Sequence, residues 1–215
     1  MIRLPTPIRY LETITKHVRR HFGTDGFVLH EDKSSTVHVD LHVVPPNASR
    51  AYFTLLTSGM SDLDMHTPEG LEDLALAELC LCLPKHWPLS MTDFGWRDSQ
   101  YSWPIAVLQR TARYVHREKT WFSWGHTIGS IVHPGPIDAE GRFTGILLLN
   151  PRTFPEGADR VTTEEDGRTI NFLAVIPLLP PELEFGRKQG SDALEEKLIE
   201  AGVTELLNQQ RPCAV

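Results

Sequence analysis

Three side chains at alternate positions of one short segment offer the sharpest chemistry in the sequence. His38, Asp40 and His42 stand at i, i+2 and i+4 in the run Val37 to Val44. A strand sends such residues to one face, about 7 Å apart, and two imidazoles with a carboxylate suit zinc or iron. A metal-dependent hydrolase is the activity that site would support. The same residues also fit the polar face of a half-exposed strand, because Val37, Val39, Leu41 and Val43 alternate with them. No HExxH and no paired CxxC completes a metal set, so the plain strand is the preferred reading and no cofactor is expected. Ser58 or Ser61, a histidine and Asp62 would make a nucleophilic triad on paper. Yet Thr57-Ser58-Gly59-Met60-Ser61 lacks the GxSxG elbow, and a tight turn after a strand explains its glycine better.

The aromatic residues carry more information. Trp87, Trp96, Trp103, Trp121 and Trp124 crowd into one window, with Phe94, Tyr101, Tyr114 and Phe122 among them. Trp103 and Trp121 suit the packing of a helix on a sheet. Trp124-Gly125-His126 reads as a loop, where tryptophan and histidine more often serve recognition.

These residues need a scaffold, and the pattern predicts one. Pro7 to Phe22 reads as an amphipathic helix with Ile8, Leu11, Thr15, Val18 and Phe22 on its buried face, Pro7 in its first turn and Gly23 as its stop. Strands follow at Phe27 to Glu31, Val37 to Val44 and Arg50 to Thr57, the last two joined by a turn at Pro45-Pro46-Asn47. Ser58 to Asp73 is polar and reads as a surface loop, and Leu74 to Leu83 as a fourth strand. A second helix is expected over Trp103 to Arg117, with Ser102 as cap and Pro104 in its first turn. Strands are expected again at Phe143 to Leu149 and Arg168 to Ile176, then helices at Pro181 to Lys188 and Ser191 to Ala201. Successive strands between helices predict an α+β domain with a mainly antiparallel or mixed sheet packed with helices, rather than a doubly wound parallel fold.

The 215 residues suit a single domain. The formal net charge of −7 speaks against nucleic acid as a partner. No signal peptide and no membrane-length apolar run stands out. Cys80 and Cys82 alternate with leucines as small hydrophobes of one strand face, and with Cys213 they make an odd set. A reduced, cytoplasmic protein is expected, with its oligomeric state open.

One family matches the series of segments. Thr57-Ser58-Gly59-Met60-Ser61-Asp62 after VHVDLHVVPP, then Leu83-Pro84, Trp87-Pro88 and Trp103-Pro104, resembles the Suppressor of fused domain. Ala112-Arg113-Tyr114-Val115-His116, Trp121, Trp124-Gly125-His126-Thr127, Gly145-Ile146-Leu147-Leu148 and Ile170-Asn171-Phe172 continue the likeness, over about residues 25 to 200. The resemblance implies a non-catalytic domain that binds another protein. Animal members hold a short transcription-factor peptide as an added strand between this domain and a second one. Bacterial single-domain relatives point instead to immunity proteins that neutralise a toxin domain, whose basic charge the acidic balance here would complement. Asp40, Ser58, Gly59, Met60, Asp62, Trp124 and His126 are the residues expected to face the partner.

Overall fold

The runs around residues 40–44, 52–58, 77–84, 145–149 and 169–178 are apolar at most positions, which calls for strands covered on both faces. The structure, a computed structural model, describes residues 8–31, 36–89, 97–129 and 135–215. It joins these runs into one eight-stranded sheet. The strands are β1 (Phe27–Leu29), β2 (Asp40–Val44), β3 (Tyr52–Ser58), β4 (Ala77–Pro84), β5 (Thr127–Ile128), β6 (Gly145–Leu149), β7 (Arg160–Thr162) and β8 (Thr169–Leu178). The helices are α1 (Leu11–Phe22), α2 (Ser99–Arg117), α3 (Pro180–Gln189) and α4 (Ser191–Glu200).

The spatial order is β1-β2-β3-β4-β8-β6-β5, with β7 pairing β8 off this path. Neighbours are antiparallel except β4 and β8, which run parallel from Ala77↔Asn171 to Cys80↔Ala174. The expected α+β fold with a mixed sheet is what forms. β5 and β7 lie where the sequence shows no strand pattern, because two or three residues are too few for an alternation to register.

Each face of the sheet meets helices. On one side Leu41, Val43, Leu55, Leu79, Leu81 and Val175 pack with Trp103, Leu108, Ala112 and Val115 of α2. On the other, Leu56, Cys80, Phe172, Ala174 and Ile176 pack with Ile14, Val18 and Phe22 of α1, Leu183 of α3 and Leu194 and Leu198 of α4. Full burial of such a side chain contributes roughly 1.5–3 kcal/mol, and covering both faces leaves β2 no exposed polar side. The half-exposed strand inferred from its alternation is thereby corrected: all five residues of β2 are buried.

Helix starts differ from expectation for local reasons. α1 begins at Leu11, and Ile14 and His17 are buried where Leu11 and Thr15 were expected to be. Pro7, Phe94 and Trp96 lie outside the described residues. α2 begins at Ser99, capped by Asp98 Oδ1, which accepts from the Gln100 amide at 2.9 Å. Pro104 therefore sits inside the helix, one turn beyond the position it favours.

The segment after α4 is tied back by a buried ion pair. Arg211 Nη1 and Nη2 bond to the two Glu182 oxygens at 2.5 and 2.6 Å, and Nη2 also reaches the Pro177 carbonyl at 2.9 Å. Glu182 in turn accepts the amides of Leu179 at the start of α3 (2.8 Å) and of Ala214 (2.9 Å). Arg211→Met strips the cation from a buried carboxylate and is expected to lower unfolding free energy by about 3–5 kcal/mol. Urea denaturation measures this, and a loss below about 1 kcal/mol, the range of an exposed pair, would show that the pair does not hold the segment.

Candidate functional site

The segment Thr57 to Asp62 wraps around one side chain. Glu78, fully buried on β4, accepts four hydrogen bonds from it. Its Oε1 takes the Gly59 amide (2.9 Å), the Ser61 amide (3.0 Å) and the Ser61 hydroxyl (2.6 Å), and its Oε2 takes the Thr57 hydroxyl (2.5 Å). Burial pushes the Glu78 carboxyl above its ordinary range, and these donors pull the other way. Gly59 sits at φ 114°, and a Cβ there would lie 1.9 Å from the His38 carbonyl oxygen, so only glycine closes this turn.

Further contacts make the turn a junction. The Met60 carbonyl meets His116 Nε2 of α2 at 2.8 Å. Asp62 Oδ1 accepts the Arg9 amide at 2.9 Å, just ahead of α1. Burial raises the half-buried Asp62 carboxyl, opposed by the Arg9 and Tyr10 amides. Ser58, Gly59 and Met60 are buried, so the expectation that they face a partner as part of a surface loop is corrected: backbone donors that cannot reach water have turned inward to Glu78.

His38, Asp40 and His42 share a face, as their spacing requires, yet they do not converge on one point. Asp40 is buried, and its oxygens receive His30 Nδ1 (2.7 Å), His38 Nε2 (2.8 Å) and the Glu31 amide (2.9 Å). Glu31 is itself paired with Arg113 of α2 and accepts the Val39 amide at 3.0 Å. His30, absent from the sequence reading because it precedes the alternating run, takes the place at Asp40 that a metal set would give to His42. His42 is completely buried, and neither ring nitrogen has a hydrogen-bond partner. Burial pulls its pKa down to about 4, against the attraction of Asp40 and Asp25 and with the repulsion of His30. Among the described residues no group of three or more histidine, cysteine or acidic side chains is placed to hold a metal ion. Asp40 thus serves as an acceptor that joins β1 to β2, not as a surface residue.

Trp124 and His126 are where side chains reach solvent beside an unfinished part of the sheet. Trp124 is 40% exposed. The Gly125 amide donates to the Leu148 carbonyl (2.8 Å), and the Leu148 amide donates to the His126 carbonyl (3.0 Å). With Thr127 opposite Leu147, this register turns the N–H and C=O of Thr127 away from β6. No described strand pairs with β5 on that side.

A cleft of about 720 Å³ lies alongside, lined by Tyr114, Glu118, Trp121, Phe122, His126 and Thr127 among others. His126 sets its ring edge-on to Trp121 at 4.6 Å and to Phe122 at 6.3 Å, and burial lowers its pKa. The sequence pointed to Trp124 and His126 and missed Tyr114, Glu118 and Thr127. Tyr114 and Thr127 are quoted only as links in the resemblance, and nothing local marks Glu118 as more than a helix end.

Of the residues expected to form one surface, only Trp124 and His126 flank this edge. Asp40, Ser58, Gly59, Met60 and Asp62 gather instead around β2, β3 and the turn that follows them.

Comparisons place this arrangement among known proteins. The family model described as Suppressor of fused protein (SUFU) matches residues 35–212. No curated protein sequence matches. Among solved structures, a Suppressor of fused homologue from Neisseria gonorrhoeae shares the fold with a TM-score of 0.66 at 16% identity, covering 97% of this chain and 98% of that one. A Sufu–Fu complex superposes with a TM-score of 0.66 at 14% identity, covering 97% of this chain and 93% of that one. Drosophila Suppressor of Fused gives 0.64 at 14% identity, covering 98% of this chain but 52% of that one.

Two substitutions probe the buried groups. Glu78→Ala leaves four inward donors without an acceptor and is expected to lower stability by roughly 4 kcal/mol. Glu78→Gln keeps Oε1 for three donors and offers an amide to Thr57 Oγ1, so a loss near 1 kcal/mol is expected. Because the Glu78 carboxyl is raised in the fold, its contribution is complete below the ordinary value of 4.5 and declines as pH rises through the raised one. Wild type should therefore lose stability relative to Glu78→Gln as pH increases, read from urea midpoints across pH; parallel curves would refute it.

His42 has the opposite sign. Its stabilising neutral state is complete above the ordinary value of 6.5 and is lost as pH falls toward about 4. His42→Leu is expected to remove an acid-side loss of about 3 kcal/mol. His17 and His116 are also lowered by burial and share the acid limb, so the comparison is between variant and wild type at matched pH.

Proposed function

The chain belongs to the Suppressor of fused family, and on that premise we propose that it acts by holding another protein rather than by catalysis. The observation that carries this reading is the open side of β5. Thr127 offers a main-chain donor and acceptor outward, Trp124 just ahead of it is exposed, and Thr127 itself helps line the aromatic cleft. An extended segment added there gains main-chain hydrogen bonds from the edge, and pockets beside it choose the side chains. The Sufu–Fu complex, an assembly on the same fold, supports a binding role.

The fold's other histidine–carboxylate group favours this reading over hydrolysis. Asp40 is consumed by two imidazoles and an amide, and His42 is sealed from solvent. We extend the proposal to a single-domain, cytoplasmic bacterial protein of the immunity type, which covers a toxin domain and blocks it by occlusion. The net charge of −7 suits a basic target, and the Neisseria homologue, equal to this chain in extent, is a relative of matching architecture. Among the described residues no helix is long and apolar enough to cross a membrane.

Thr127→Pro tests the edge directly. Its N–H points away from β6, so proline removes a donor to the incoming strand while the β5–β6 bonds persist. Co-expression with a toxin domain, sought among the neighbouring genes as the immunity reading requires, followed by co-purification, should give a stoichiometric complex for wild type and none for Thr127→Pro. Trp124→Ala should weaken that complex roughly 30-fold, as removal of a central aromatic anchor does. Equal recovery with both variants would remove β5 from the interface.

A further inference from the structure

We infer that the cleft beside β5 selects a basic side chain, a lysine or arginine carried by the segment that docks on the edge. The inference rests on the edge-docking reading above and adds the chemistry of its ligand.

Three features of the cleft favour a cation. Tyr114 and Phe122 stack with rings 4° from parallel at 5.9 Å, and with Trp121 they supply the aromatic part of the cleft lining. Glu118 puts an exposed carboxylate at the mouth. Glu118 is also the C-cap of α2, so the negative end of a helix of 19 residues opens at the same place.

The chain already displays the preference. Arg117 lies with its guanidinium carbon 5.5 Å from the Tyr114 ring centre and bonds through Nε to Glu118 at 2.7 Å. Ring and carboxylate together hold one guanidinium at the rim. A second cation from a partner would enter the cleft lined by Trp121 and Phe122, where Glu118 also forms part of the wall.

The polarity is local. A Cβ on Gly129 would lie 2.8 Å from Arg187 Nη2, so the far end of the edge is basic. The basic side chain is therefore placed at the Glu118 end. The net charge of −7 raises the local concentration of a basic segment in the same sense.

Blocked pentapeptides test this against the full chain by amide and indole NMR. The probes are acetyl-Thr-Val-Arg-Val-Thr-amide and its counterparts with glutamine or glutamate at the centre. The arginine peptide should shift the amides of residues 126–129 and the Trp121 indole saturably, and the glutamine peptide should bind at least about five-fold more weakly. The glutamate peptide should be weaker still, and Glu118→Gln should erase the preference for arginine without changing the glutamine peptide. If all three peptides shift the edge alike, or glutamate binds best, the selection of a cation is overturned while edge docking stands. If none shifts residues 126–129 at millimolar concentration, both readings fall together.

Discussion

One buried carboxylate organises the structure around it. Glu78 sits on β4, the strand where antiparallel pairing with β3 gives way to parallel pairing with β8. Its partners are the Thr57 hydroxyl near the end of β3 and the Gly59 amide, Ser61 amide and Ser61 hydroxyl of the turn after it, and none is a cation. Solvation lost on burial has to be returned by these four bonds. The turn they hold then does three further things. It sets Gly59 against the His38 carbonyl before β2, gives Met60 to α2, and gives Asp62 to the start of α1. The β2–β3 half of the sheet and the helices on its two faces are thus referred to a single side chain.

The same physical device recurs wherever irregular chain is buried. Glu205 accepts the Arg152 and Thr153 amides and the Thr153 hydroxyl, fixing the bend after β6. Glu182 gathers the β8–α3 junction and the segment around Arg211, and Asp40 gathers the end of β1. A carboxylate offers about four acceptor sites from one residue, so one acidic side chain can satisfy several backbone donors that no strand or helix serves. This explains why polar residues persist inside a sheet covered on both faces. It also explains why acidic residues that look like chemistry in the sequence are occupied in the fold.

Covering both faces has a consequence for function. The sheet itself is removed from contact with partners, and its edges and the loops around them are what remain. Trp124 projects from such a loop, and β5 beside it is only two residues long. Short edge strands resist unplanned pairing, and under the proposed edge docking the aromatic cleft alongside would choose the segment that pairs there.

The sequence by itself determined the main elements: the alternating run at 37–44 and the apolar runs that follow became β2, β3, β4, β6 and β8, and the predicted helices became α1 to α4. It also carried the order of motifs by which the family is recognised, and it marked Trp124 and His126 as residues outside the core. Only the tertiary structure decided what the polar residues do. Alternation showed that His38, Asp40 and His42 share a face, but the opposing cover of α1 buries that face, and His30 arrives at Asp40 from just beyond β1. Thr57 to Asp62 reads as a polar loop until Glu78, distant in sequence, supplies its acceptors. Thr127 becomes an edge residue only once β6 has paired with its other side. Local pattern encodes which residues prefer water and which way they alternate, whereas burial of a polar group depends on partners brought from elsewhere in the chain.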